Sequence, residues 1–248
     1  MLTPQQERAI RYYIGDVEGE DPFWGDPKAY VLLNALFFPG LDTERRRCAE
    51  GKRLSPALLE DEERLLGLLR SLLGAFRPLG APLTTFRVER YADFTVMRRR
   101  ARTVSPTSTS TAGFLDAYRD RRGIALLQFS LPAGTPCLHM AQILPGYAKP
   151  GEAEVLLPPG LPLTFREAPL TPAQQGILDA DGAPPRVFCH VQAVPAPPHP
   201  VQEAPLPPGG AAAGSRVVRA LGAGQEPDPA DVRAYLEWKA ALAAQFAE

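Results

Sequence analysis

Two spacings of apolar residues divide the chain. Up to residue 76 they recur every three or four positions. Leu58, Leu59, Leu65, Leu66, Leu68, Leu69, Leu72 and Leu73 form one stripe behind Ser55-Pro56, which predicts an amphipathic helix. Thr3 and Pro4 open an earlier helix that runs through Tyr13, with a capping hydroxyl and a proline at the first helical position. A further apolar run at 28–38 stops at Pro39-Gly40. From Pro82 onward the apolar runs are short and broken by proline and glycine. They predict strands at 84–90, 92–97, 104–108, 124–130, 137–143, 154–157, 163–167 and 186–194, with a short helix between Thr111 and Tyr118. Residues 196–227 are densest in proline, alanine and glycine up to Gly214 and predict an exposed linker. Asp228-Pro229-Ala230 then opens a helix within 228–248. Helices first and strands later predict an α+β fold. Its expected form is an N-terminal helical layer (1–76) packed on a mixed β-sandwich core (82–195), the two making one domain over 1–195.

At 248 residues the chain is long enough to bury a substantial core. A net charge of -1 gives no reason to expect nucleic acid or a membrane as partner. Cys48, Cys137 and Cys189 are widely separated and odd in number, which predicts free thiols without a zinc site. No basic segment followed by an apolar one opens the chain, and no apolar stretch reaches the roughly 20 residues of a membrane span. The expected product carries no signal sequence and starts in the cytoplasm, with export by another route still open.

Three polar elements interrupt the predicted strands. Arg87 lies mid-strand in Phe86-Arg87-Val88, where an arginine either faces solvent or offers a planar fork to a phosphate or carboxylate. Thr107-Ser108-Thr109-Ser110-Thr111 is a hydroxyl run that serves either as a polar turn or as a holder for a carboxylate. Glu152 and Glu154 sit two residues apart before Val155-Leu156-Leu157. In an extended strand they share a face, so the pair is either a solvated strand end or a place for a cation. Paired carboxylates are also the equipment for an oxocarbenium-like transition state.

Taken in order, an arginine, a Ser-Thr-Ser run and a Glu-x-Glu strand resemble the pattern of mono-ADP-ribosyltransferases related to clostridial toxins and vertebrate ecto-enzymes. The likeness is fullest in Pro150-Gly151-Glu152-Ala153-Glu154-Val155-Leu156-Leu157-Pro158-Pro159. It extends to Leu2-Thr3-Pro4-Gln5-Gln6 with Tyr13, and to Tyr30, Asn34 and Leu36. The resemblance implies that family's fold, with NAD as substrate, no metal, and a target protein bearing an acceptor arginine as partner. A bacterial effector or toxin, or an intracellular modifier, is the implied setting.

By similarity, Glu154 would stabilise the oxocarbenium ion as nicotinamide departs, and Glu152 would orient and deprotonate the acceptor. Arg87 would hold the NAD phosphates and Ser108 would hold Glu154. Thr109 and Ser110 would complete the cofactor-binding run by supporting the strand end. Tyr147, in the loop before the glutamates, would meet the protein substrate or pack as a turn residue. The family often has glycine directly after the arginine, where this chain has Val88, so Arg90 competes with Arg87. Arg98-Arg99-Arg100-Ala101-Arg102 reads as a solvated hairpin or a contact for an acidic group, and Trp24 and Trp238 as packing anchors. A NAD glycohydrolase, a transferase to a non-protein acceptor and a catalytically degenerate binding module remain as alternatives.

Overall fold

The computed structural model describes residues 2–14, 29–49, 55–114, 121–144, 153–195 and 204–247. They form two compact units, one from residues 1–75 with 200–248 and the other from 76–199. Together the elements make an α+β fold.

The first unit is helical. Helix α1 (Pro4–Ile14) starts as its sequence predicts: Gln6 N donates to Thr3 Oγ1 at 3.2 Å, and Thr3 N donates to Gln6 Oε1 at 3.0 Å. Tyr13 hydroxyl donates to Asn34 Oδ1 at 3.1 Å, tying α1 to α2 (Ala29–Phe37). Helix α3 (Asp42–Ala49) follows. The leucine stripe makes two helices, α4 (Pro56–Glu60) and α5 (Glu62–Leu73), because Asp61 caps the second by accepting from Arg64 N at 3.2 Å. Leu58, Leu59, Leu65, Leu69 and Leu72 are buried.

The stretch expected as a linker holds a helix, α9 (Gly210–Gly222). Its small residues let it lie close against α10 (Pro229–Ala247). A Cβ built on Gly210 would collide with the Trp238 side chain, and one on Gly214 would lie 2.5 Å from Tyr235 Cδ2. The composition that suggested flexibility therefore serves close packing. Trp238 is buried, as expected of an anchor; Trp24 lies outside the described residues. Lys239 on α10 is buried beside Glu44 on α3, with Nζ 2.6 Å from Oε1. Tyr235 hydroxyl donates to the same oxygen at 3.2 Å.

The second unit is built on one mixed sheet of eight strands: β1 (Arg77–Pro78), β2 (Leu83–Arg90), β3 (Thr107–Ser110), β4 (Ile124–Leu131), β5 (Pro136–His139), β6 (Glu154–Leu157), β7 (Leu163–Ala168) and β8 (Val187–Ala193). Their order is β1-β5-β6-β3-β2-β4-β8-β7. Among the described residues only β4 and β8 pair in parallel. Three of the expected strands change, and with them the basic run. Residues 92–97 lie in a helix, α6 (Tyr91–Arg100), that buries Phe94 and Met97. Three residues apart, those two share a helical face, and Arg98, Arg99 and Arg100 fall in its last turn, where cations suit the dipole. The basic run is therefore a helix end rather than a hairpin. The strand expected at 104–108 begins only after Pro106, at Thr107. The one expected at 137–143 turns after His139 into α7 (Met140–Ile143). A single turn of helix, α8 (Pro172–Gln175), closes the set. The short helix expected after Thr111 lies in part outside the described residues.

Ala125, Leu127, Phe129, Val191 and Ala193, from one face of β4 and β8, are buried, and Phe94 of α6 sets its ring 6.1 Å from Phe165 of β7. On the other face Val88, Ile124, Leu126 and Phe188 form a cluster covered by Phe114, Leu170 and Ile177. Among the described residues no helix is long and apolar enough to cross a membrane.

Candidate active site

Strands β2, β3 and β6 are neighbours, so the strands that carry Arg87, the Ser108–Ser110 run and Glu154 lie side by side at the middle of the sheet. Directly opposite residues on paired strands share a face. Ser110 is opposite Glu154, and Phe86 is opposite Ser110. The same row continues through Gln128 on β4, His190 on β8 and Arg166 on β7. Glu154 is 9% exposed and Ser110 3%, which places the carboxylate at the buried end of a row that ends in the exposed Arg166.

Ser108 lies two residues along β3, opposite Leu156. It is the diagonal neighbour of Glu154, and Ser110 is the direct one. Ser110 Oγ accepts from Ala112 N at 3.0 Å, which secures the strand end and leaves the hydroxyl hydrogen to donate. Thr109, on the other face, donates to Val155 O at 2.8 Å. Phe114 packs edge-on to Phe86 at 5.2 Å, and Phe188 to His190 at 4.8 Å, giving the row an aromatic flank.

Arg87 alternates to the face away from Phe86 and Glu154. Its guanidinium reaches back into the seam between β2 and β3. Nη1 donates to Ser108 O at 2.5 Å, Nε donates to Glu89 Oε2 at 2.7 Å, and Nη2 lies 2.6 Å from that oxygen. The Arg87 side chain is 16% exposed and that of Glu89 7%. Burial pushes the Glu89 carboxyl up, but the charges of Arg87 and Arg121 and the hydrogen bonds from Arg87 and Arg90 N outweigh it. The net result is a pKa below the usual value. Arg121 Nη1 stands 3.4 Å from Glu89 Oε1 and donates to Val88 O at 3.2 Å. Arg90 follows at the end of β2 and is the N-cap residue of α6.

Strand β6 spans Glu154–Leu157, the range expected, and Ala153 before it has φ 21°. The shared-face argument needs extended backbone at 153, which is not found there. Glu152 and Tyr147 lie outside the described residues. Glu89 escaped the sequence reading although its signal was present: it stands two residues after Arg87 on one strand and so shares its face. Gln128 and His190 carried no local signal, because only the order of the strands puts them in register with Glu154. Cys137 and Cys189 are buried, Cys48 is partly so, and none of the three is in a disulfide.

No protein-family model matches the chain, and no curated protein matches it. Solved structures do. One is the enzymatic component C2-I of the C2 toxin from Clostridium botulinum, at 13% identity and a TM-score of 0.48, over 78% of this chain and 43% of that one. A second is BECa, an ADP-ribosylating toxin of a C. perfringens binary enterotoxin, determined with NADH; it has 15% identity and a TM-score of 0.47, over 78% and 44%. A third is Plx2a, an ADP-ribosyltransferase toxin from Paenibacillus larvae, at 14% identity and a TM-score of 0.44, over 78% and 87%. The chain spans less than half the length of the first two.

Proposed function

We propose that this chain is a mono-ADP-ribosyltransferase that cleaves NAD at the nicotinamide–ribose bond and passes ADP-ribose to an arginine of a target protein. The observation that supports this best is the seat of Glu154, a nearly buried carboxylate at the start of β6 with Ser110 directly opposite and Ser108 on the same face. A fixed negative charge there opposes the positive charge that develops on the ribose as the bond to nicotinamide breaks. The bonding electron pair leaves with nicotinamide. A guanidinium nitrogen of the acceptor then bonds to the anomeric carbon and gives up a proton.

In this reading Glu154 stabilises the oxocarbenium ion and Glu152 orients and deprotonates the acceptor. Ser108 and Ser110 hold Glu154, Thr109 fixes β3 to β6, and Tyr147 meets the target protein. Arg87, in the seam beside the serine run, binds the NAD diphosphate. The catalytic domain includes the helical lobe at 1–76. NAD is the substrate and the chemistry calls on no metal.

Labelled NAD offered together with a small guanidino compound tests the reading. Wild type is expected to label the guanidine. Glu154→Gln should lose both that transfer and NAD hydrolysis, by about 100-fold or more, as when a single charge-stabilising group is removed from an active site. Glu152→Gln should lose transfer and keep hydrolysis. Free ADP-ribose with no guanidine adduct from wild type would refute the arginine acceptor and favour the glycohydrolase.

A further inference from the structure

A carboxylate two residues from an arginine that binds phosphate is an electrostatic liability, since it repels the ligand its neighbour attracts. Glu89 is nonetheless buried against Arg87, taking Nε at 2.7 Å and Nη2 at 2.6 Å on one oxygen. Its other oxygen accepts from Arg90 N at 2.9 Å and faces Arg121 at 3.4 Å.

The third contact of the guanidinium shows what the carboxylate secures. Strands β2 and β3 pair at the single register position Phe86 opposite Ser110. Alternate residues of a strand turn their backbone groups to alternate neighbours. Thr111 N donates to Ala153 O on the β6 side, so Ser108 O points towards β2, beyond the end of the ladder. Arg87 Nη1 fills that gap. A flexible arginine would lose side-chain entropy on doing so; the fork on Glu89 settles its orientation beforehand.

We propose that Glu89 is a positioning residue for NAD binding, holding the Arg87 guanidinium as a strut between β2 and the Ser108–Ser110 strand. This rests on the reading that Arg87 meets the NAD diphosphate. Glu89 acts through Arg87 and touches neither substrate nor reacting atoms.

The sign of one measurement separates this role from simple electrostatics. Titration of the full chain with NAD in a calorimeter should show Glu89→Gln binding about tenfold or more weakly than wild type, although the change removes a negative charge. In an Arg87→Lys background, which keeps the charge and lacks the fork, Glu89→Gln should alter affinity less than twofold. The Arg87 Nε–H resonance, slow to exchange in wild type, should exchange rapidly in Glu89→Gln. Equal or tighter NAD binding by Glu89→Gln, or an equal loss in both backgrounds, would overturn the positioning role while leaving the proposed function standing. Should Glu89→Gln fail to fold, Arg87→Lys alone decides: wild-type affinity there shows that the fork is not needed and refutes the role. A wild type that does not bind NAD removes both proposals.

Discussion

Arg87 shows how far a single residue can be read from sequence. A mid-strand arginine next to Phe86 suggested either solvent or a fork for a phosphate or carboxylate; its guanidinium donates to the Glu89 carboxylate and the Ser108 carbonyl. The first partner follows from two-residue alternation, and the second from a register that no local pattern reveals. The Glu89 cluster also makes a pH prediction. Its carboxyl titrates below the usual value in the fold, so the folded state holds the proton less tightly than the unfolded chain does. The stabilisation is therefore complete above the ordinary glutamate pKa of about 4.3 and is lost as pH falls below it, through the folded value. Urea unfolding at neutral pH and in acid should show the advantage of wild type over Glu89→Gln shrinking on acidification. An advantage that does not change with pH would contradict this account.

At the scale of elements, periodicity located the strands that pair over long registers, such as β2, β4 and β8, and the capped helix α1. It failed where two periods compete or where composition misleads. Tyr91–Arg100 has apolar residues that fit a short strand as well as a helix, and its packing on the sheet decides for the helix. In α9, glycine and alanine suggested a linker, yet Gly210 and Gly214 are required by the close approach of Trp238 and Tyr235. Gly214→Ala is therefore expected to cost about 1–3 kcal/mol through overpacking. Thermal unfolding should register this as a fall of several degrees. An unchanged melting temperature would show that α9 and α10 yield easily.

For the whole molecule, a reading from one end to the other joined the N-terminal helices to the strands and left the tail apart. The tertiary contacts instead group 200–248 with 1–75, because α10 brings Trp238, Tyr235 and Lys239 into the core of the helical unit. Removing residues 200–248 should therefore strip the helical unit of its cooperative unfolding and leave the β-rich unit folded, as circular dichroism and limited proteolysis would report. Loss of both units together would contradict that division. Of the candidate site, sequence order shows the residue types but not their adjacency: Arg87, Ser108, Ser110 and Glu154 lie on three neighbouring strands whose order no local pattern reveals. The central claim is that Glu154 acts on the bond to nicotinamide. Nicotinamide release from NAD by the full chain, measured for wild type and for Glu154→Gln alongside NAD affinity, tests it most directly. Wild type is expected to release nicotinamide, and Glu154→Gln to bind NAD about as well yet release nicotinamide at least about 100-fold more slowly. Equal release by the two proteins would contradict it.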